Sequence, residues 1–265
     1  MHYTRRMLVC PVRGCHLALV REGRHMLCAH GHLFDIARSG YINLLQPQDR
    51  RSKQPGDTKA AIAARRRLHD GGVAEPLLQA IADMLRPAPG DIVLDAGCGE
   101  GFYLGSLARD AGFAAHGIDI SIPAVDAAAR RYPACEWVVA NADRRIPYAD
   151  RSFSIVLSIT ARMNTAEFRR ILGPGGRLLV ALAAPDDLIE LRGNGRDRVA
   201  RTVETFSSDF TLIDRRSITT SVDLDAAAVQ DALISIYRPI YHKMTPKPAG
   251  AMRVTFSLDL LLFQT

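Results

Sequence analysis

The chain has 265 residues, of which 48% are hydrophobic and 23% charged, and its mean hydropathy is −0.01. Such values exclude a disordered chain, and no apolar run reaches the ~18 residues that a membrane span requires. The opening residues lack the apolar core of an export signal, so a soluble cytoplasmic protein is expected.

The net charge of +6 is unevenly placed. Residues 1–88 hold 14 Lys+Arg against 7 Asp+Glu, whereas residues 89–265 hold 20 against 21. The basic excess therefore lies in the first third, which predicts a polyanion-facing module on a nearly neutral body. The alternative is a solvated basic surface.

In chain order, residues 1–46 come first. Cys10 and Cys15 precede a short apolar segment with a turn at Glu22-Gly23, and then follow Cys28 and His32. This spacing suits a zinc ribbon, and Cys10, Cys15, Cys28 and His32 would form a closed Cys3His site of structural character. His16, His25 and His30 compete as ligands, and reduced core cysteines without metal are the alternative. Residues 47–88 read as a basic linker and helices. Asp57 is the expected N-cap of the first helix and Gly71-Gly72 its end, and Pro76 to Leu85 form an amphipathic second helix. Arg50, Arg51, Lys53, Lys59, Arg65, Arg66 and Arg67 cluster here with few aromatics, a pattern suited to phosphate contact or to a solvated helix face.

From residue 89 to the end, strands and helices alternate. Strands are expected at 92–96, 114–120, 137–140, 153–159 and 176–183, with helices at 122–131 and 164–172. This spacing predicts an α/β doubly wound parallel sheet with its ligand at the carboxyl ends of the strands. The turn Asp95-Ala96-Gly97-Cys98-Gly99-Glu100-Gly101 ends the first strand. Asp95 can meet an ammonium, Gly97 and Gly99 admit a close ligand, and Asp119 can accept from ribose hydroxyls. Asn141, Ala142 and Asp143 follow the third strand, placed to meet an adenine edge. A terminal apolar strand over VTFSLDLLLFQ would suit an antiparallel edge hairpin.

DAGCGEG, HGIDI and ILGPGG at these spacings resemble the S-adenosylmethionine-dependent class I methyltransferases, whose fold is a Rossmann-like sheet. The resemblance implies Gly97, Gly99 and Glu100 around the methionine part, Asp119 on the ribose and Asn141 to Asp143 near adenine. CPVRGC…CAHGHLFDIARSGYINLL, then QPGD and AARRRLHDGG, resembles the bacterial 23S ribosomal RNA guanine-N1 methyltransferases of RlmA type, including antibiotic-resistance relatives. It implies an N-terminal zinc domain that helps grip RNA, zinc on the four residues above and a tendency to form homodimers, while the absence of a long apolar run leaves no membrane contact expected.

Several positions depart from that family. Thr160-Ala161-Arg162-Met163-Asn164 follows the fourth strand, Asp187 stands where relatives carry His, and Leu68-His69 replaces a Phe-Leu pair. Ala74, Arg238-Pro239 and Tyr241 also differ, which leaves the target nucleotide open. Guanine N1 must lose a proton before or during attack, so Arg162 is expected to stabilise O6 and Asp187 to serve as a base. Competing readings are a same-fold methyltransferase acting on a small molecule or protein, a non-catalytic RNA-binding scaffold, and a dehydrogenase. The last would need a third Gly or Ala where this chain has Phe102.

Overall fold

A computed structural model describes residues 7–49, 55–109, 112–161, 163–235 and 250–265. The first three short strands, β1 (Val20–Glu22), β2 (His25–Leu27) and β3 (Leu33–Asp35), form a small antiparallel sheet. Gly23, at φ +61°, supplies the tight turn between β1 and β2.

Among the described residues, a second sheet of eight strands forms the body. Its parallel centre is β7 (Glu136–Val139), β6 (Ala114–Asp119), β5 (Ile92–Ala96), β8 (Phe153–Ile159) and β9 (Leu172–Ala183), in that spatial order. Both faces of these strands are covered, which explains their near-continuous apolar runs. β11 (Met252–Gln264) pairs antiparallel with β9 and with β10 (Thr211–Leu224). The expected terminal hairpin is there, but β10 forms the edge and β11 lies inside it. At the other end β4 (Ile42–Asn43) pairs parallel with β7, so a strand from the first 46 residues completes the sheet.

That junction is packed as well as hydrogen-bonded. Leu8, Cys10, Leu19, Met26 and Cys28 belong to the same buried cluster as Leu94, Ile118, Val138 and Tyr148. The Val9 N–H donates to the Pro147 carbonyl at 3.0 Å, and the Ala149 N–H donates to the Met7 carbonyl at 2.8 Å. The N-terminal module is thus fused to the sheet through a common core.

Helices α1 (Lys59–Asp70), α2 (Glu75–Leu85), α3 (Phe102–Ala108), α4 (Ile122–Arg131) and α5 (Thr165–Ile171) follow the expected alternation. The N-cap of α1 is Thr58, whose hydroxyl accepts from the Ala61 N–H, and not Asp57. Asp57 is drawn instead into an ion pair with Arg65 at 2.5 Å. Short helices α6 (Ile189–Arg192) and α7 (Val199–Phe206) precede β10, and α8 (Ala226–Ser235) packs on α1. No helix among the described residues is long and apolar enough to cross a membrane.

Trp137, the chain's single tryptophan, sits where two glycines make room for it. A Cβ at Gly117 would lie 2.3 Å from its ring, and one at Gly101 would lie 2.5 Å away. Trp137→Ala is expected to cost about 3–5 kcal/mol in chemical denaturation, since the cavity would open beneath the turn after β5. A loss below 1 kcal/mol would show that this packing does not support the turn.

Candidate active site and zinc centre

The four donors Cys10, Cys15, Cys28 and His32 converge, with their ligand atoms all within 4.8 Å of one another. Tight turns present them: Gly14 and Gly31 adopt φ +79° and +80° beside the two knuckles. Tetrahedral Zn–S bonds of about 2.3 Å require sulfurs about 3.8 Å apart. The Cys15 and Cys28 sulfurs are separated by 3.8 Å, and His32 Nδ1 lies 3.4 Å from the sulfurs of both Cys10 and Cys28. The donor set therefore fits a four-coordinate zinc with no open position. Of the competing histidines, His25 is held by Asp35 at 2.9 Å, and the exposed His30 brings its Nδ1 to 3.4 Å from the Cys15 sulfur and its ring edge-on to His32.

The second site lies at the carboxyl end of β5, where β6 and β8 diverge to opposite sides. Such a switch point opens a crevice for ligands. The N–H groups of Gly97 and Cys98 donate to the Ile118 carbonyl at 2.8 and 3.0 Å, pinning the turn to β6. Asp119 tightens it further, accepting from the Gly99 N–H at 3.0 Å and from the Ser121 N–H at 2.8 Å. Gly97 is obligatory here: it stands at φ +94°, and a Cβ would meet the Ala161 Cβ at 2.5 Å.

Asp95 is 2% exposed, and its Oδ1 has no hydrogen-bond partner among the described residues. Burial, and then the charge of Asp119, push its carboxyl up to about 8. A buried acid with an open oxygen beside a glycine turn fits the ammonium of S-adenosylmethionine. Asp119, expected on the ribose, holds the turn through both of its oxygens. Burial raises its carboxyl, and the N–H groups of Ser121 and Gly99 draw it back.

Glu100, expected near the methionine part, faces elsewhere. Its Oε1 pairs with His69 Nδ1 at 3.0 Å, and its Oε2 lies 3.8 Å from Arg66 and from Arg131. His69 also stacks on Phe102 with ring centroids 4.2 Å apart. Glu100 thus ties α1 to the start of α3; its Oε2, like Asp95 Oδ1, has no hydrogen-bond partner among the described residues, but it faces the Arg66 and Arg131 guanidinium groups.

The arginines of α1 also differ from the expected row of phosphate contacts. Arg65 pairs with Asp57, and Arg67 binds Asp231 through two hydrogen bonds at 2.7 and 2.6 Å. Arg66 approaches Glu100. These cations are neutralised internally and bind α1 over the crevice. Arg50, Arg51 and Lys53 lie outside the described residues.

The loop after β7 is internally bonded. Asn141 donates from Nδ2 to the Asp49 carbonyl at 2.9 Å and accepts the Asp143 N–H at 2.9 Å, while Ala142 offers its carbonyl to Asn164. The Asn141 side chain therefore shapes this wall, and the half-buried Ala142 and Asp143 complete the loop. Asp187 lies after β9, but Ser257 N–H occupies its Oδ1 and Arg192 its Oδ2, at 2.9 and 2.7 Å. A carboxylate bonded on both oxygens is a poor base, and this one ties the loop after β9 to β11. Arg162, and the divergent Arg238, Pro239 and Tyr241, lie outside the described residues. Three contributors carry other roles in the sequence: Asp57 reads as an N-cap, Arg65 as a phosphate-facing cation, and Ala161 only as part of the loop after the fourth strand. Only the positive-φ demand of Gly97 hinted at a neighbour as close as Ala161.

Residues 93–176 match the family described as Methyltransferase domain, and residues 8–53 match the one described as RlmA, N-terminal. A 23S rRNA (guanine(748)-N(1))-methyltransferase of Streptomyces fradiae is 36% identical over 236 residues, covering 84% of this chain and 82% of its own length. The chain belongs to the 23S rRNA (guanine-N1)-methyltransferase family. Another member, the candidate enzyme YxjB of Bacillus subtilis, is 36% identical across 70% of this chain and 67% of its own. Among solved structures, the [4+2]-cyclase SpnF superposes with a TM-score of 0.52 at 18% identity, over 72% of this chain and 81% of its own. That likeness shows the fold alone, since one fold serves different reactions. The methyltransferase thus joins a class I S-adenosylmethionine sheet to a zinc ribbon.

Proposed function

We propose that this methyltransferase transfers a methyl group from S-adenosylmethionine to N1 of a guanine in 23S ribosomal RNA. The observation that carries this reading is a relative named for that activity, 36% identical across 84% of this chain, beside an RlmA N-terminal match over residues 8–53. The reaction belongs in the cytoplasm, where ribosomes are made.

When bound, S-adenosylmethionine supplies an electrophilic methyl group on sulfur. Asp95 receives the ammonium, Asp119 the ribose hydroxyls, and the turn Gly97 to Gly101 admits the chain between them. Fixing donor and acceptor in line supplies much of the acceleration in a displacement of this kind. A guanine must leave its stack to enter such a crevice, which favours loop or bulge targets. Arg162, which follows Ala161 in the chain, is the residue assigned to stabilise charge on guanine O6 as N1 gives up its proton. Asp187 contributes by positioning β11. Exposed Arg13, Arg21, Arg24 and Arg38 on the zinc ribbon take RNA phosphates, a grip that weakens steeply with salt. The alternative of a small-molecule or protein substrate leaves this basic face without a purpose. A homodimer, implied by the family resemblance, predicts about twice the 29.0 kDa chain mass in light scattering.

Unmodified 23S rRNA fragments incubated with labelled S-adenosylmethionine should yield label in 1-methylguanosine on nucleoside mapping. Label confined to protein or a small molecule would overturn the RNA reading. Arg162→Ala should lower turnover about 100-fold with little change in cofactor affinity; unchanged turnover would remove Arg162 from the mechanism.

A further inference from the structure

The methionine end of S-adenosylmethionine is a zwitterion, with an ammonium and a carboxylate on one carbon. Asp95 accounts for the ammonium and, with Asp119 acting on it, makes the turn hostile to a second negative group. The carboxylate needs a cation at the mouth of the same turn, and one is there. Arg65 Nη1 lies 3.7 Å from where a Cβ on Gly99 would stand, and its charge acts on Asp119 and Tyr103. Arg66 and Arg131 are instead directed to Glu100.

The guanidinium already holds a carboxylate. Asp57 Oδ2 is 2.5 Å from Arg65 Nη1, and the segment bearing Asp57 is laid across the end of β6. Ser121 Oγ donates to the Asp57 carbonyl at 2.9 Å, and Gly56, at φ +83°, lies so close that a Cβ would meet the Ser121 Cβ at 2.7 Å. The far side of Arg65 is anchored: Nη2 donates to the Ser235 carbonyl at the end of α8 at 3.1 Å. Arg67, two residues on, grips Asp231 of the same helix. A guanidinium fixed on one face and bearing a replaceable carboxylate on the other is built for exchange.

We propose that Arg65 binds the methionine carboxylate of S-adenosylmethionine and that Asp57 is the internal carboxylate it exchanges. This rests on reading the crevice as the cofactor site. It makes α1, which joins the zinc ribbon to the methyltransferase sheet, a direct participant in cofactor recognition. It also makes Arg65 a determinant of specificity for ligands with an amino-acid tail.

Calorimetry with two ligands tests it in the full-length, zinc-loaded protein. S-adenosylhomocysteine carries the carboxylate, and 5′-methylthioadenosine lacks the whole amino-acid end. Arg65→Gln should weaken S-adenosylhomocysteine about 10- to 100-fold, the worth of a charge-assisted pair, and change 5′-methylthioadenosine less than about twofold. Equal weakening of both ligands, or of neither, overturns the assignment. Asp57→Asn should tighten S-adenosylhomocysteine by removing the competitor, with 5′-methylthioadenosine unchanged; unaltered or weaker S-adenosylhomocysteine binding overturns the exchange. Arg65→Lys should recover part of the lost affinity, since a point charge remains without the fork. Failure of the unaltered protein to bind either ligand would reject the cofactor reading itself and this assignment with it.

Discussion

Removing zinc, by chelation or by Cys28→Ser, should lower the melting temperature of the whole protein, not only of its first 46 residues. Cys10 and Cys28 are buried in the same cluster as the sheet residues Leu94, Ile118 and Val138, and β4 is hydrogen-bonded to β7. A ribbon of this size cannot hold itself by apolar burial, so the metal carries much of its folding energy. If the fused core passes on even ~3 kcal/mol of that, the main transition falls by roughly 6–12 °C for a chain of this class. Differential scanning calorimetry should show one shifted transition, alongside metal analysis giving one zinc per chain in the intact protein and none in the variant. A main transition left unmoved, with the ribbon melting separately, would show that the junction is not cooperative.

Cofactor binding should strengthen as pH rises from 6 toward about 8, and Asp95→Asn should flatten that rise. Burial, and then Asp119, hold the Asp95 carboxyl near 8 in the free protein, so most molecules carry it protonated at neutral pH. An ammonium beside it favours the ionised form, and binding therefore expels a proton below that value. The limiting slope is about tenfold in affinity per pH unit, levelling above about 8. Stability runs the other way. The folded pKa lies above the unfolded one, so the stability linked to this group is complete below the ordinary carboxylate range. It is lost as pH rises through about 8. Asp95→Asn should consequently stabilise the cofactor-free protein at pH 8 while weakening its ligand. Calorimetry in buffers of differing ionisation heat measures both the slope and the proton release. A flat affinity profile in the unaltered protein would refute the role given to Asp95.

How much of this was legible depended on how local the determining physics is. Cys10, Cys15, Cys28 and His32 could be chosen from spacing because knuckle turns are short-range objects. The central strands were legible because burial on both faces leaves runs such as FSIVLSI. β4 was not, because two residues carry no periodicity, and its pairing with β7 joins positions nearly a hundred residues apart. The arginines of α1 read as a solvent-facing row, because nothing near Arg67 in the chain announces Asp231. Asp187 looked like a candidate base through its place after a strand, whereas Ser257 and Arg192, seventy and five residues away, give it a fastening role. Residue type and spacing disclosed what chemistry was available; only packing disclosed which polar atoms were left open for it.

The pairing of β4 with β7 has a consequence for life without metal. A parallel sheet that ends on a buried, apolar strand presents an unfilled row of backbone donors and acceptors, a template for joining another chain. Here that row is filled by a segment whose placement depends on a metal knot only ten residues upstream in the chain. At the opposite edge β10 protects itself, carrying Arg215, Arg216, Asp214 and Asp223 along its length. Zinc is therefore expected to guard the protein's solubility as well as its shape: loss of the metal weakens the junction that covers this edge, and the molecule becomes adhesive along one side once that junction opens.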